Sequence, residues 1–99
     1  MHHTDIDGGT LQRADLEDLI DQHNGPLRLV GVDLSGADLS RMVLDHWIFE
    51  RCILIQTSFL GSRLEGTHWK SCRASLAIFE AANLLEAQHL LIARQWTVT

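Results

Sequence analysis

The residues able to do chemistry are few and scattered. Cys52 and Cys72 stand twenty residues apart. Two thiols could form a disulfide or a redox pair; the other reading is two small buried residues with no reactive role. His2 and His3 are adjacent and could hold a metal weakly, but no Cys or His spacing matches a closed metal site. There is no Gly-x-Ser-x-Gly elbow, no phosphate loop and no His-Glu-x-x-His. Tyr is absent. The expectation is therefore a non-enzyme, with no catalytic, cofactor-binding or metal-ligating residues and no cofactor.

Charge narrows the partners. The chain of 99 residues carries a formal net charge of −5. From Leu27 to Leu85 six acids (Asp33, Asp38, Asp45, Glu50, Glu65, Glu80) face six bases (Arg28, Arg41, Arg51, Arg63, Lys70, Arg73). The excess lies earlier, where Asp5, Asp7, Asp15, Glu17, Asp18 and Asp21 oppose Arg13 alone. A nucleic-acid binder needs a basic face, so direct nucleic-acid binding is not expected. No apolar run is long enough for a membrane helix. The polar, acidic start does not read as a signal peptide, and two cysteines without one suggest free thiols in a reducing compartment.

The elements that would position these residues are set by a period of five. Large apolar residues fall at Leu29, Leu34, Leu39, Leu44, Phe49, Leu54, Phe59, Leu64, Trp69, Phe79 and Leu84, broken only by Ala74. Two residues before each runs a second uncharged series, from Leu27, Val32 and Ala37 to Ala77, Ala82 and Ala87. A helix repeats its face every 3.6 residues or so and a strand every two. Five fits neither, and a short fixed period that fits no single element marks a solenoid. The chain is 45% apolar, enough for one such core.

Gly36-Ala37-Asp38-Leu39-Ser40 is close to the repeat A(D/N)Lxx, and Val32-Asp33-Leu34-Ser35-Gly36 and Ala82-Asn83-Leu84-Leu85-Glu86 are near copies. Over 27–87 the chain resembles the pentapeptide-repeat family. That resemblance implies an all-β solenoid: a right-handed quadrilateral β-helix with four pentads per coil and about three coils. The centre and the residue two before it would face inward. Residues twenty apart would then stack, pairing Phe49 with Trp69, Phe59 with Phe79, and Cys52 with Cys72. His46 and His68, one at a corner and one on a face, could approach across neighbouring coils. Trp47 is too large for an inward small position, so a local distortion is expected there. Ala74 leaves a centre underfilled. The repeats from Val43 to Ser58 also lack the polar residue before the centre.

Outside the repeats, 1–9 reads as a flexible leader and 10–24 as a capping helix. Thr10 is its N-cap, Leu16, Leu19 and Ile20 share a face, and Asn24-Gly25-Pro26 stops it, with Gly25 able to take the left-handed position. Such a helix hides the open end of a solenoid. Residues 84–99 read as a C-terminal cap, a short helix over about Leu84 to Arg94 with Trp96 packing nearby or onto a partner; alternatively Leu90 to Val98 adds another strand or forms a dimer contact.

The candidate interface is apolar residues at outward positions: Ile53, Ile55, Leu60, Leu76, Ile78 and Trp96. A patch of that kind on a small protein marks an interface, or else a terminal segment covers it. The functional expectation is a non-catalytic protein-interaction module or small adaptor, with an unidentified protein or a second copy as partner. The resemblance implies an alternative, a DNA-mimic regulator that binds DNA gyrase or another nucleic-acid enzyme, as some members of the family do. It also implies the cytoplasm of a bacterium.

Overall fold

The computed structural model describes residues 4–87. One parallel sheet runs through them in the order β1 (Thr4–Asp7), β2 (Leu27–Val30), β3 (Ile48–Glu50) and β4 (His68–Lys70), with helix α1 (Arg13–His23) between β1 and β2. Arg28, Ile48 and His68 pair in line, so the register advances twenty residues per step. Three further lines repeat that step: Asp33–Ile53–Arg73, Asp38–Ser58–Ile78 and Val43–Arg63–Asn83. A chain that meets itself every twenty residues along four lines is a β-solenoid. Its sides are numbered one to four in that order.

The period of five has a local origin. Leu34, Leu54 and Phe59 each accept a bond from the amide three residues on, at 3.0–3.2 Å. Two residues after every centre the backbone takes positive φ, without a break from Gly31 and Gly36 to Ala81 and Glu86. Three residues of strand and two of turn make one repeat. Within the strand, the centre and the residue two before it share a face, and that face points inward. From Leu27 to Phe79 every member of both rows is buried.

Positive φ costs a residue other than Gly roughly 1–2 kcal/mol. Leu76 takes φ 61° with its side chain 56% exposed, so it gains little packing in return. Leu76→Gly is expected to raise stability by about 0.5–1 kcal/mol, the strain relieved less the added chain entropy. A urea midpoint that fell instead would mean the Leu76 side chain is packed against a surface. Gly66 is the opposite case, because a Cβ there would lie 2.5 Å from Nδ1 of His46.

The stacking inside follows the register. Phe49 and Trp69 lie parallel with centroids 4.2 Å apart, and Phe59 and Phe79 do so at 5.1 Å. Edge-to-face contacts cross between the columns, Phe59 to Trp69 at 5.5 Å and Trp69 to Phe79 at 5.8 Å. Ala74, buried, stands between Trp69 and Phe79 along the chain. The distortion expected at Trp47 does not occur. Its neighbour Ile48 pairs with both Arg28 and His68, and the Trp47 side chain is buried. It fits because it sits beside the end of α1, sharing a groove with Ile20, Gly25 and Pro26.

Polar residues in the repeats have defined work. Inward, Thr57 and Ser62 donate their hydroxyls to the carbonyls of Leu34 and Leu39, at 2.7 and 2.6 Å. Outward, Asp33, Asp38 and Asn83 accept from the amide two residues on, at 2.9–3.1 Å. This local turn is the physical reason for Asp or Asn before the centre. Val43 and Ile53 occupy the same position and cannot accept.

The N-terminal expectations need correction. Thr4–Asp7 is not a flexible leader but a strand, paired in parallel with Leu27–Val30. The pairing continues through Thr10 to Asp33, so this turn of chain spans 23 residues rather than twenty. Residues 4–11 run along sides one and two, and α1 takes the place of the other two. Thr10 is therefore held in the sheet, and the helix starts after Gln12, whose amide donates to Asp15 Oδ2 at 2.8 Å. Its end differs too. Asn24, not Gly25, takes the left-handed conformation, at φ 50°, and its amide returns to the Ile20 carbonyl. The capping itself is as the helical pattern implies: Leu16 is fully buried, and Leu11, Leu19 and Ile20 pack on the core. The expected C-terminal helix does not begin at Leu84: residues 84–87 form one more repeat turn, with Glu86 at φ 60° and the Ala87 amide on the Leu84 carbonyl at 3.0 Å, and the rest of that expectation, with Trp96, lies outside the described residues.

Candidate functional site

The outward surface carries whatever this protein does, since the interior is filled. Ile53 is half-buried on side two, between Asp33 and Arg73. Ile55 and Leu76 lie at the corner between sides two and three, 37% and 56% exposed. Ile78, 36% exposed, follows on side three beside Ser58. Leu60 is half-buried at the far corner of side three. The fold thus gathers Ile53, Ile55, Leu76 and Ile78 around one corner, with Leu60 set apart across side three. Trp96 lies outside the described residues. The equivalent positions one step along the axis are Ser35 and Ser75 for Ile55, Gln56 for Leu76 and Ser58 for Ile78, with Gly36 and Asp38 two steps away from the last two.

Side one carries an ion ladder that the repeat pattern does not announce. Arg28 donates to Asp5 Oδ2 at 2.9 Å and to Glu50 Oε1 at 2.7 Å, and Arg51 reaches the other oxygen of Glu50 at 3.4 Å. One guanidinium thereby ties β1 to β2 and β3. A twenty-residue register sets Arg28 near Glu50, so that half of the ladder had a signal in the sequence. Nothing local points to Asp5, because it lies in a segment with a different offset.

Hydrogen bonding from Arg28, followed by its charge, holds the Glu50 carboxyl below the usual carboxylate range. Bonds from Ser35 and Ser40 lower Asp33 and Asp38 in the same way. A carboxylate depressed in the folded state adds stability that is complete above its unfolded value and is lost as pH falls through the folded one. With unfolded values near 4, thermal stability should be flat from pH 7 to about 5 and fall below about 4. Glu50→Gln should flatten part of that fall, and an unchanged slope would remove Glu50 from the account.

The two thiols are buried and free. Cys52 Sγ donates to the Leu29 carbonyl at 3.3 Å and Cys72 Sγ to the Phe49 carbonyl at 3.2 Å. These are the bonds that Thr57 and Ser62 make elsewhere in the same row, each to a carbonyl 23 residues back. The hydrogen bond with Cys52 and then burial push the Cys72 thiol far up. Cysteine here stands in for serine as a small inward donor. Among the described residues no group of three His, Cys, Asp or Glu is placed to hold a metal. His46 lies at the corner between sides four and one, and His68 on β4.

No curated protein and no solved structure matches this chain. The family model for pentapeptide repeats does match, in eight copies over residues 28–68. The buried double row and the twenty-residue register continue beyond that stretch to Phe79 and Asn83. On the repeat, its turns and its stacked core, residues 28–68 are pentapeptide repeats.

Proposed function

We propose that the protein is a non-catalytic protein–protein interaction module, a small adaptor built on the solenoid. The observation that carries this reading is the apolar corner of Ile53, Ile55, Leu76 and Ile78, at positions where neighbouring repeats carry polar residues or glycine. Contiguous exposed apolar side chains on a small protein mark a contact surface. Leu60, across side three, belongs to the same proposal. The partner is another protein or a second copy of this chain, and neither nucleic acid nor membrane is bound directly. A bacterial cytoplasm fits two free buried thiols. Among the described residues no helix is long and apolar enough to cross a membrane. DNA mimicry of the kind that engages gyrase calls for an acidic rod, and the charges of the repeats balance. The finer architecture belongs to the same reading: a right-handed quadrilateral winding of about three coils, right-handed as crossovers between parallel strands are.

The test is the Ile53→Asp/Ile55→Asp variant. Ile53→Asp restores the local acceptor that Asp33 and Asp38 provide, so the variant should keep its circular dichroism. Sedimentation and affinity capture should then show loss of self-association or of a retained partner. Association that survives in the folded variant removes this corner as the interface.

A further inference from the structure

A second surface, on the opposite side of the solenoid, has a different character. A groove runs between α1 and side four, and Ile20 and Val43 line it along both halves. Val43 is 62% exposed in its floor, where Asp or Asn would close a local turn. Met42 and Trp47 complete the apolar base. The rim is acidic. Glu17, Asp18, Asp21 and Asp45 line it against Arg13 and Arg41.

The pairing of those charges decides which remain for a ligand. Arg13 is spent on Glu17 and on the carbonyls of Asp38 and Ser40, and Asp45 is held by Arg63. No ion pair engages Asp18, Asp21 or Arg41 among the described residues, which leaves two acids against one base. The carboxyl end of α1, at Asn24, opens onto the same groove and adds the negative end of the helix dipole. An exposed apolar floor under unpaired acids complements an apolar side chain flanked by cations. A second copy fits poorly, because each chain brings a net charge of −5.

We propose that this groove docks a short basic segment of a partner protein, with an apolar side chain on Val43 and Ile20 and a Lys or Arg beside Asp18 and Asp21. It is independent of the corner on sides two and three, and a chain with both surfaces can bridge two partners.

The test uses the full chain and a displayed library of random peptides, selected at low salt. The expected winners carry one or two large apolar residues flanked by Lys or Arg. Synthesised and titrated into the isotope-labelled protein, they should shift the amides of Ile20 and Val43. Affinity should fall by at least about tenfold in Val43→Asn and in Asp18→Asn/Asp21→Asn, and fall with added salt. Val43→Asn keeps the fold, because Asn83 on the same pairing line already accepts from the amide two residues on. Ile53→Asp/Ile55→Asp should leave this binding unchanged, so failure here is separable from failure at the corner. The proposal is overturned by selection of nothing, by neutral or acidic winners, or by binding that survives Val43→Asn. Groove amides that shift with protein concentration alone would make the occupant a second copy, and overturn it equally.

Discussion

Phe49→Ala should cost about 3–5 kcal/mol and lower the thermal midpoint by roughly 15–30 °C. The ring is fully buried and lies against three other aromatics: stacked on Trp69, beside Trp47, and edge-on to Phe59, which itself stacks on Phe79. Its removal takes away the transfer energy of the side chain and opens a hole the stacked walls cannot close. Each ring pair adds about 0.5–1.5 kcal/mol beyond burial. Position compounds the loss. In a solenoid each turn is stabilised only by its neighbours, so a defect in the middle separates the two ends. Phe49→Leu, which keeps most of the volume, should cost only about 1–1.5 kcal/mol. Denaturation midpoints for the two variants decide the matter; a loss under about 1 kcal/mol for Phe49→Ala would show that the aromatic columns are not the stabilising core.

Leu16→Ala should cost about 2–5 kcal/mol, and its first visible effect should be loss of helix. The described helix has 11 residues, too few to persist alone in water. It exists because Leu16 is inserted at the end of the core and Arg13 is anchored on the carbonyls of Asp38 and Ser40. Shortening Leu16 withdraws the main contact. The expected record is a fall in the 222 nm signal at denaturant concentrations that leave the stacked aromatics intact, with a dye for apolar surface binding to the opened end. A variant that keeps both its helix and its midpoint would mean that Leu11, Leu19 and Ile20 suffice to seat α1. Losing the helix would also dismantle the groove on side four, so the same variant should not bind a basic peptide.

The apolar corner is legible in the sequence, because outward positions follow from the same count that marks the inward ones. Ile53, Ile55 and Ile78 each fall beside a buried centre, and polar residues at 33, 35, 38, 58 and 75 mark them as exceptions. The groove is not legible there. Val43 is one more exception by the count, but what makes it a floor is the course of α1 over it, with Asp18 and Asp21 brought alongside. The helical pattern shows that α1 has an apolar face; it does not show where the acidic face lands. The register sets Arg28 near Glu50, but its tie to β1 exists only because β1 brings Asp5 to it.

Local sequence is enough to set the repeat, the two inward rows and the stacking of Phe49 on Trp69 and Phe59 on Phe79. The reason is that a strand of three and a turn of two are local choices, made again in each pentad, and a twenty-residue register follows from four of them. Whatever breaks the period is settled by tertiary contacts. Thr4–Asp7 is held as a strand because β2 offers a free edge and Arg28 a charge; Thr4 and Ile6 favour extension, but four residues alone do not fix it. Asn24 turns left-handed because the helix must end there for Pro26 to lead into β2. Trp47 fits an inward position because the end of α1 leaves room beside it. Each of these depends on a surface that another part of the fold supplies, and no window of the local sequence contains it.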